Sequence, residues 1–315
     1  MGYGEISMNR LLASWRGVGL NFRHREALAF YLFASPWIIG FLAFTVGPML
    51  ASIGISFSAY EVITPAKFIG LSNYKNMLFY DELVWKSLKV TTYYAVGSVA
   101  LGLVTAFFVA LLMNQEIWGI SLFRTIFYLP SSISGVPVAL LWMWIFSPEF
   151  GILNAALRLF GIEGPQWLFD PVWVIPAFIV MSLWGIGGGM VIFLAGLQSI
   201  PQHLYEAAEL DGAGVLGKFW NVTLPMMSSI IFFNLIMSII GSFQTFTQAF
   251  VMTKGGPANA SLFYVLYLYR NAIGYFKMGY ASAMAWLLFV IILGLTLLVF
   301  KSSPMWVYYE AEVRR

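Results

Sequence analysis

Six stretches of this chain contain no Asp, Glu, Lys or Arg: residues 27–60, 90–115, 125–148, 171–205, 219–253 and 278–300. The shortest is 23 residues long, and the next charge-free run, 255–269, has only 15. A helix needs about 20 apolar residues to cross a hydrocarbon layer of about 30 Å. The runs therefore predict six spanning helices. Barrel strands would be about ten residues long with alternating polarity, and these runs do not alternate. Buried helices of a large soluble core would need polar outer faces, which the runs lack. Only 10% of the residues are charged, against about 25% in a soluble domain. The fold class expected is an all-α integral membrane protein.

Four arginines, Arg10, Arg16, Arg23 and Arg25, precede the first window. That window has 34 residues, well beyond the about 7–15 of a signal-peptide core. It reads as a retained first span with its basic flank inside the cell. Six spans then put both termini in the cytoplasm. The expected organisation is a cytoplasmic tail over 1–26, transmembrane helix 1 over 27–60 and an extracytoplasmic segment over 61–89. A core of helices 2–6 follows over 90–300, with a cytoplasmic loop at 199–225, and then a cytoplasmic tail over 301–315. With that topology nine Lys and Arg fall inside and eight outside, so the N-terminal cluster carries the orientation. The aromatics of 61–89 suggest a helix lying at the membrane surface.

Several functions drop out. The chain has no cysteine, hence no disulfide, thiolate ligand or Cys nucleophile. His24 and His203 are far apart and in polar segments, so no metal site is expected. No basic patch interleaves with aromatics, so no nucleic acid is expected as a partner. No nucleophile–base pair stands out, and no catalytic residue is assigned.

The most specific stretch lies between the fourth and fifth windows. Ser199 and Gln202 have capping-box spacing, and Pro201 suits a first helical turn. Residues 202–210 then form a short amphipathic helix, and Gly212 ends it in a left-handed conformation. A second short helix, 215–222, leads to Pro225. Ala207 and Ala208 keep the surface low, while Glu206 and Glu209 offer charge to a basic partner residue. Gly212-x4-Gly217-Lys218 mimics the start of a phosphate-binding loop, but Phe219 follows where Ser or Thr must hold magnesium.

The series Glu206-Ala207-Ala208-x3-Gly212-x9-Val222-x-Leu224-Pro225 resembles the "EAA" loop of permease subunits of binding-protein-dependent ATP-binding-cassette importers. Val222 stands where that family usually has Ile. Phe68-x-Gly70-Leu71-x-Asn73-Tyr74, Thr253-Lys254-Gly255-Gly256-Pro257 and Gly279-Tyr280-Ala281-Ser282-Ala283 extend the resemblance to the maltose/oligosaccharide-type carbohydrate permeases. The resemblance implies a type I importer permease fold in a bacterial or archaeal cytoplasmic membrane. Its implied partners are a second homologous permease, two ATPase subunits, an extracytoplasmic solute-binding protein and membrane lipid. It implies no cofactor in this chain, with ATP and Mg on the partner ATPase. It makes Glu206, Ala207, Ala208, Gly212, Leu224 and Pro225 the ATPase-coupling residues and predicts alternating access driven by ATPase closure.

Two polar features lie inside the apolar windows. Asn234, Ser238, Gly241, Thr245 and Gln248 fall within about 80° on one helix, with Gln244 beside them and Phe243 and Phe246 as neighbours. These residues either line a substrate pathway, where Gln and Thr would meet sugar hydroxyls and rings the apolar sugar faces, or bond between helices. Gly185, Gly187, Gly188 and Gly189 either pack span four tightly or unwind it beside a cavity. No window holds a carboxylate or lysine, which disfavours proton- or sodium-driven transport. It also disfavours anionic solutes that need a membrane-buried cation, unless the partner permease supplies one. The competing readings are a permease for another solute, such as glycerol phosphates, and a non-transporting scaffold or sensor.

Overall fold

The computed structural model describes residues 22–308; residues 1–21 of the tail expected at 1–26, and 309–315 of the tail expected at 301–315, lie outside them. By contact the chain divides between Gly54 and Ile55. The first unit is helical in its described residues: α1, Phe22–Phe41, continues through a π-turn at Leu42–Val46 into α2, Gly47–Ser56, whose last two residues belong to the second unit. Pro48 follows that turn. A proline removes one ladder bond and crowds the preceding turn, and a widened turn accommodates both.

The second unit continues with a two-residue ladder, β1 (Ser58–Ala59) against β2 (Lys67–Phe68), and the short helix α3, Ser72–Phe79. Span two is α4, Glu82–Met113. It begins eight residues before its charge-free window because the Asp81 carboxylate accepts from Leu83 N at 3.0 Å and caps it. The charges at Glu82, Lys86 and Lys89 therefore ride on the helix itself.

Span three is not the straight helix its window suggests. Residues Ile120–Tyr128 form α5, a 3-10 turn runs over Leu129–Ser132, and Gly135–Ile145 form α6, bent by 101° from the first piece. Pro130 and the extended Ile133–Ser134 break the ladder there. After the short α7, Ile152–Leu159, span four is also in two pieces. These are α8 (Val174–Leu183) and α9 (Gly187–Ser199), at 44°. The loop helices α10 (Gln202–Leu210) and α11 (Val215–Lys218) follow. A π-turn, Phe219–Thr223, joins α11 to α12, Leu224–Phe243. A three-residue interruption precedes α13, Thr247–Met252. Then come α14, Tyr264–Tyr269, and span six, α15, Met278–Ser302. Among the described residues four helices are long and apolar enough to cross a membrane, and up to six spans result when each bent pair counts once.

Two apolar clusters hold the second unit together. One gathers Tyr94, Phe178, Phe243, Phe263, Tyr264 and Met284 with their neighbours. The other gathers Ala106, Met113, Phe193, Leu197 and Met227 near the end that carries α10. Within the glycine run of span four, the tightest approach is at Gly187, where a Cβ would stand 2.5 Å from Phe127 O and 2.8 Å from Tyr128 Cα. Gly189 makes only ordinary contacts, and Gly185 lies in the break of span four. The glycine run thus serves both of the roles considered for it, at different residues.

Candidate functional site

Between the two apolar clusters lies a cavity of about 400 Å³. The unbroken α4 and two interrupted spans, four and five, surround it. A broken helix leaves backbone groups without ladder partners, which membrane proteins tolerate only where protein or water meets them. Asn234, Ser238, Gly241, Thr245 and Gln248 all line it. The helix stops at Phe243, so Gln248 reaches the same wall from α13 rather than from a continuous helix. Asn234 donates to Ile230 O at 3.0 Å, which leaves its carbonyl oxygen as an acceptor.

Opposite stand groups that the sequence did not single out, Tyr94 and Ser98 from α4 and Ser182 from span four, with Gly185 of the glycine run beside them. The Tyr94 side chain lines the cavity together with Thr245, Ser98 and Ser182. A second hollow of about 290 Å³, lined by Ser131, Trp184 and Gly135, shares Tyr94, Ser182, Gly185 and Gln248 with the first. The signal for Tyr94 and Ser98 was present as an i, i+4 polar pair within a charge-free window. Neither cavity is lined by a charged residue.

The remaining span-five residues lie elsewhere. Phe243 is buried in the upper apolar cluster. Phe246 stacks on Phe250 and meets Tyr269. Gln244 faces a separate apolar groove with Leu268 and Phe289.

The loop helices form the second feature. Gly212 has φ +81°. Gly212 N donates to Glu209 O at 3.0 Å and Ala213 N to Ala208 O at 2.9 Å, the two bonds of a Schellman cap. The expected capping box is absent. Pro201 occupies the cap position, and Ser199 Oγ turns back to donate to Gly196 O at 2.7 Å. Glu206 and Ala207 are exposed and Ala208 half-buried. Leu224 and Pro225 are half-buried at the entrance of α12. Beside them Leu210, Val215 and Leu216 are 90%, 82% and 74% exposed. Tyr205 and Thr223 hydroxyls pair at 3.0 Å and tie the loop to the span below. Lys218 donates to Glu209 at 2.9 Å and Phe219 enters a π-turn, so the Gly-x4-Gly-Lys sequence has no phosphate-cradling shape.

Comparison with known proteins agrees with this architecture. The family model described as "Binding-protein-dependent transport system inner membrane component" matches residues 98–306. A probable ABC transporter permease, YesP of Bacillus subtilis, is 47% identical over 91% of this chain and 94% of its own length. The trehalose/maltose transport system permease MalF of Thermococcus litoralis is 31% identical over 89% of this chain and 95% of its own. A crystal structure of a bacterial alginate ABC transporter, in complex with alginate pentasaccharide-bound periplasmic protein, contains a similar chain. The two superpose with a TM-score of 0.76 at 26% identity, over 89% of this chain and 95% of that one.

Proposed function

We infer the function from one premise: the chain belongs to the family of binding-protein-dependent transport system inner membrane components. Its relatives include a probable ABC transporter permease and the permeases of trehalose/maltose and arabinooligosaccharide transport systems. On our reading this chain is the transmembrane subunit of an ATP-driven importer for a sugar or oligosaccharide. It works with a second permease, two ATPase subunits that bind ATP and Mg, and an extracytoplasmic solute-binding protein. The loop α10–α11 faces the cytoplasm, both termini lie on that side, and the chain itself performs no chemistry.

The observation that carries the reading is the exposed surface of α10–α11. Leu210, Val215 and Leu216 stand out into solvent around Glu206 and Ala207, on a loop rigidified by the Gly212 cap. Exposed apolar residues gathered on a polar loop mark a docking surface. An ATPase groove gripping these helices would transmit nucleotide-driven closure into the spans. The cavity of Asn234, Ser238, Thr245 and Gln248 would then open to either side in turn. Its hydroxyls and amides suit the hydroxyls of a saccharide, each exchanging a water bond for a protein bond.

The test is uptake into proteoliposomes containing the complete transporter. Replacing Glu206 by Lys and Gly212 by Ala together should abolish ATP-dependent sugar uptake while the chain still inserts. Unchanged uptake would leave α10–α11 without a coupling role and favour a scaffold.

A further inference from the structure

A third hollow, of about 440 Å³, lies at the end of the spans away from α10–α11. Asp81, at the start of α4, marks its floor, whereas Met113, at the far end of α4, packs with Leu197 and Met227 near the loop. Asp81 and the inner-cavity residue Tyr94 are 13 positions apart on α4, about 20 Å at 1.5 Å per residue. A packed layer separates the two sites: Phe263, Tyr264 and Met284 are fully buried there. Tyr264 OH donates to Met284 O at 2.9 Å and Tyr264 N donates to Thr91 Oγ1 at 2.9 Å.

Five tyrosines line this hollow: Tyr60, Tyr80, Tyr267, Tyr275 and Tyr280. Two are held rigidly, because Tyr267 and Tyr280 hydroxyls both donate to Asp81 Oδ2, at 2.7 and 2.6 Å. Burial, and next the Asp81 carboxylate, hold the Tyr267 phenol well above its ordinary pKa, so it remains a donor. Tyr60 is placed by its carbonyl, which accepts from Gly279 N at 3.1 Å. The approach is so close that a Cβ at Gly279 would meet Ser58 O. Tyr80 and Tyr275 are left exposed at the rim. Asn73 commits its amide hydrogens to Ser56 O and Ser58 O, at 2.8 and 3.0 Å, which leaves its carbonyl oxygen as an acceptor.

We propose that this hollow is a saccharide-binding subsite, which takes one sugar unit of the transported oligosaccharide before it reaches the inner cavity. The proposal rests on the importer reading above. Its chemistry excludes other small ligands. An acyl chain would need an apolar lining, and here carboxylates and amides alternate with the rings. An anion would need excess positive charge, and Lys277 faces both Glu61 and Asp81. A metal would need several clustered carboxylates or histidines, and no such group occurs among the described residues. Fixed tyrosine rings with amide and carboxylate acceptors match a pyranose, which offers an apolar face and a belt of hydroxyl donors. The volume lies within the range of about 300–1,000 Å³ typical of small-molecule sites.

The test is tyrosine iodination, read at each position by mass spectrometry, on the reconstituted transporter with and without maltotriose or arabinotriose, both uncharged. At saturating probe, one of these saccharides should protect Tyr80 and Tyr275 about fivefold, with no binding protein present. Asn76 also lines the hollow, so Asn76→Leu should raise the half-protecting concentration about tenfold, and Tyr275→Ala should do the same for Tyr80. Gln248→Ala, in the inner cavity, should leave protection intact. Equal iodination with and without both saccharides overturns the proposal. So does protection that needs the binding protein and no sugar, which would make the hollow a protein-docking pocket. Sugar uptake measured on the same proteoliposomes separates the two readings: uptake without protection sinks the subsite alone, and absent uptake sinks the importer reading.

Discussion

Tyr280 donates a 2.6 Å hydrogen bond to Asp81, across 199 positions of sequence. Tyr267 shares the same carboxylate oxygen at 2.7 Å, and the other oxygen caps α4. One acidic side chain therefore joins span two, the α14 loop and span six.

Removing that carboxylate should loosen all three elements. A hydrogen bond to a charged group contributes about 1.5–3 kcal/mol, and a helix cap about 1. Asp81→Ala should destabilise the chain by about 2–4 kcal/mol, since the losses overlap. Asp81→Asn keeps a capping oxygen and should lose about half as much. Thermal unfolding in detergent, followed by fluorescence-detected gel filtration, ranks the variants. Equal stability of Asp81→Ala and the parent would show that the shared acceptor holds nothing.

Two adjacent glycines should behave in opposite ways. A Cβ on Gly187 would meet the backbone of Phe127 and Tyr128, while one on Gly188 meets nothing within 4 Å. Backbone cannot yield as a side-chain tip can, so overpacking of about 1–3 kcal/mol is expected at Gly187. Gly187→Val should separate the two bent spans and reduce uptake about tenfold or more. Gly188→Ala should be silent in uptake and in thermal stability. Similar losses from both would mean that small size matters along the whole run rather than at one contact.

Much of this architecture was readable from residue order alone, for identifiable reasons. Lipid tolerates no charge, so six charge-free windows stand out without any contact being known. Gly212 was readable because a left-handed helix end favours one residue type. The shared face of Asn234, Ser238, Thr245 and Gln248 survives because the chain resumes in register after the break at Gln244–Phe246. The bend of span three was not readable, since Pro130 also occurs in unbroken membrane helices, as Pro36 does here. Ser199 had capping spacing, yet a carbonyl in its own helix offered a nearer acceptor. The Asp81–Tyr280 bond has no periodic signature at all. It joins residues brought together only by packing.

The inner cavity separates two glutamines of span five. Gln248 lines both inner hollows, and Gln244 faces the apolar groove beside Leu268 and Phe289. If saccharide passes through the inner cavity, Gln248→Ala removes one hydrogen-bonding partner, about 1 kcal/mol, and uptake should fall about five- to tenfold. Gln244→Ala should leave the rate within about twofold. Initial rates of radiolabelled sugar uptake, at fixed amounts of every subunit, decide between them. A larger effect at Gln244 would move the pathway to the other face of the helix.

The two acidic residues of α10 look alike in sequence, but the structure distinguishes them. Glu209 accepts from Lys218 at 2.9 Å, while Glu206 makes no ion pair among the described residues. An exposed pair such as Glu209–Lys218 contributes about 0–1 kcal/mol, so Glu209→Gln should change uptake by less than about fivefold. Glu206 has its carboxylate available for a basic group on the ATPase partner we propose. A charge-assisted bond formed there would contribute about 1.5–3 kcal/mol. Glu206→Gln should therefore lower uptake about tenfold or more and weaken retention of the ATPase on the purified permease. A reversed ranking, with Glu209→Gln the more damaging, would assign the docking charge to the wrong carboxylate and make the Lys218 pair part of the coupling surface.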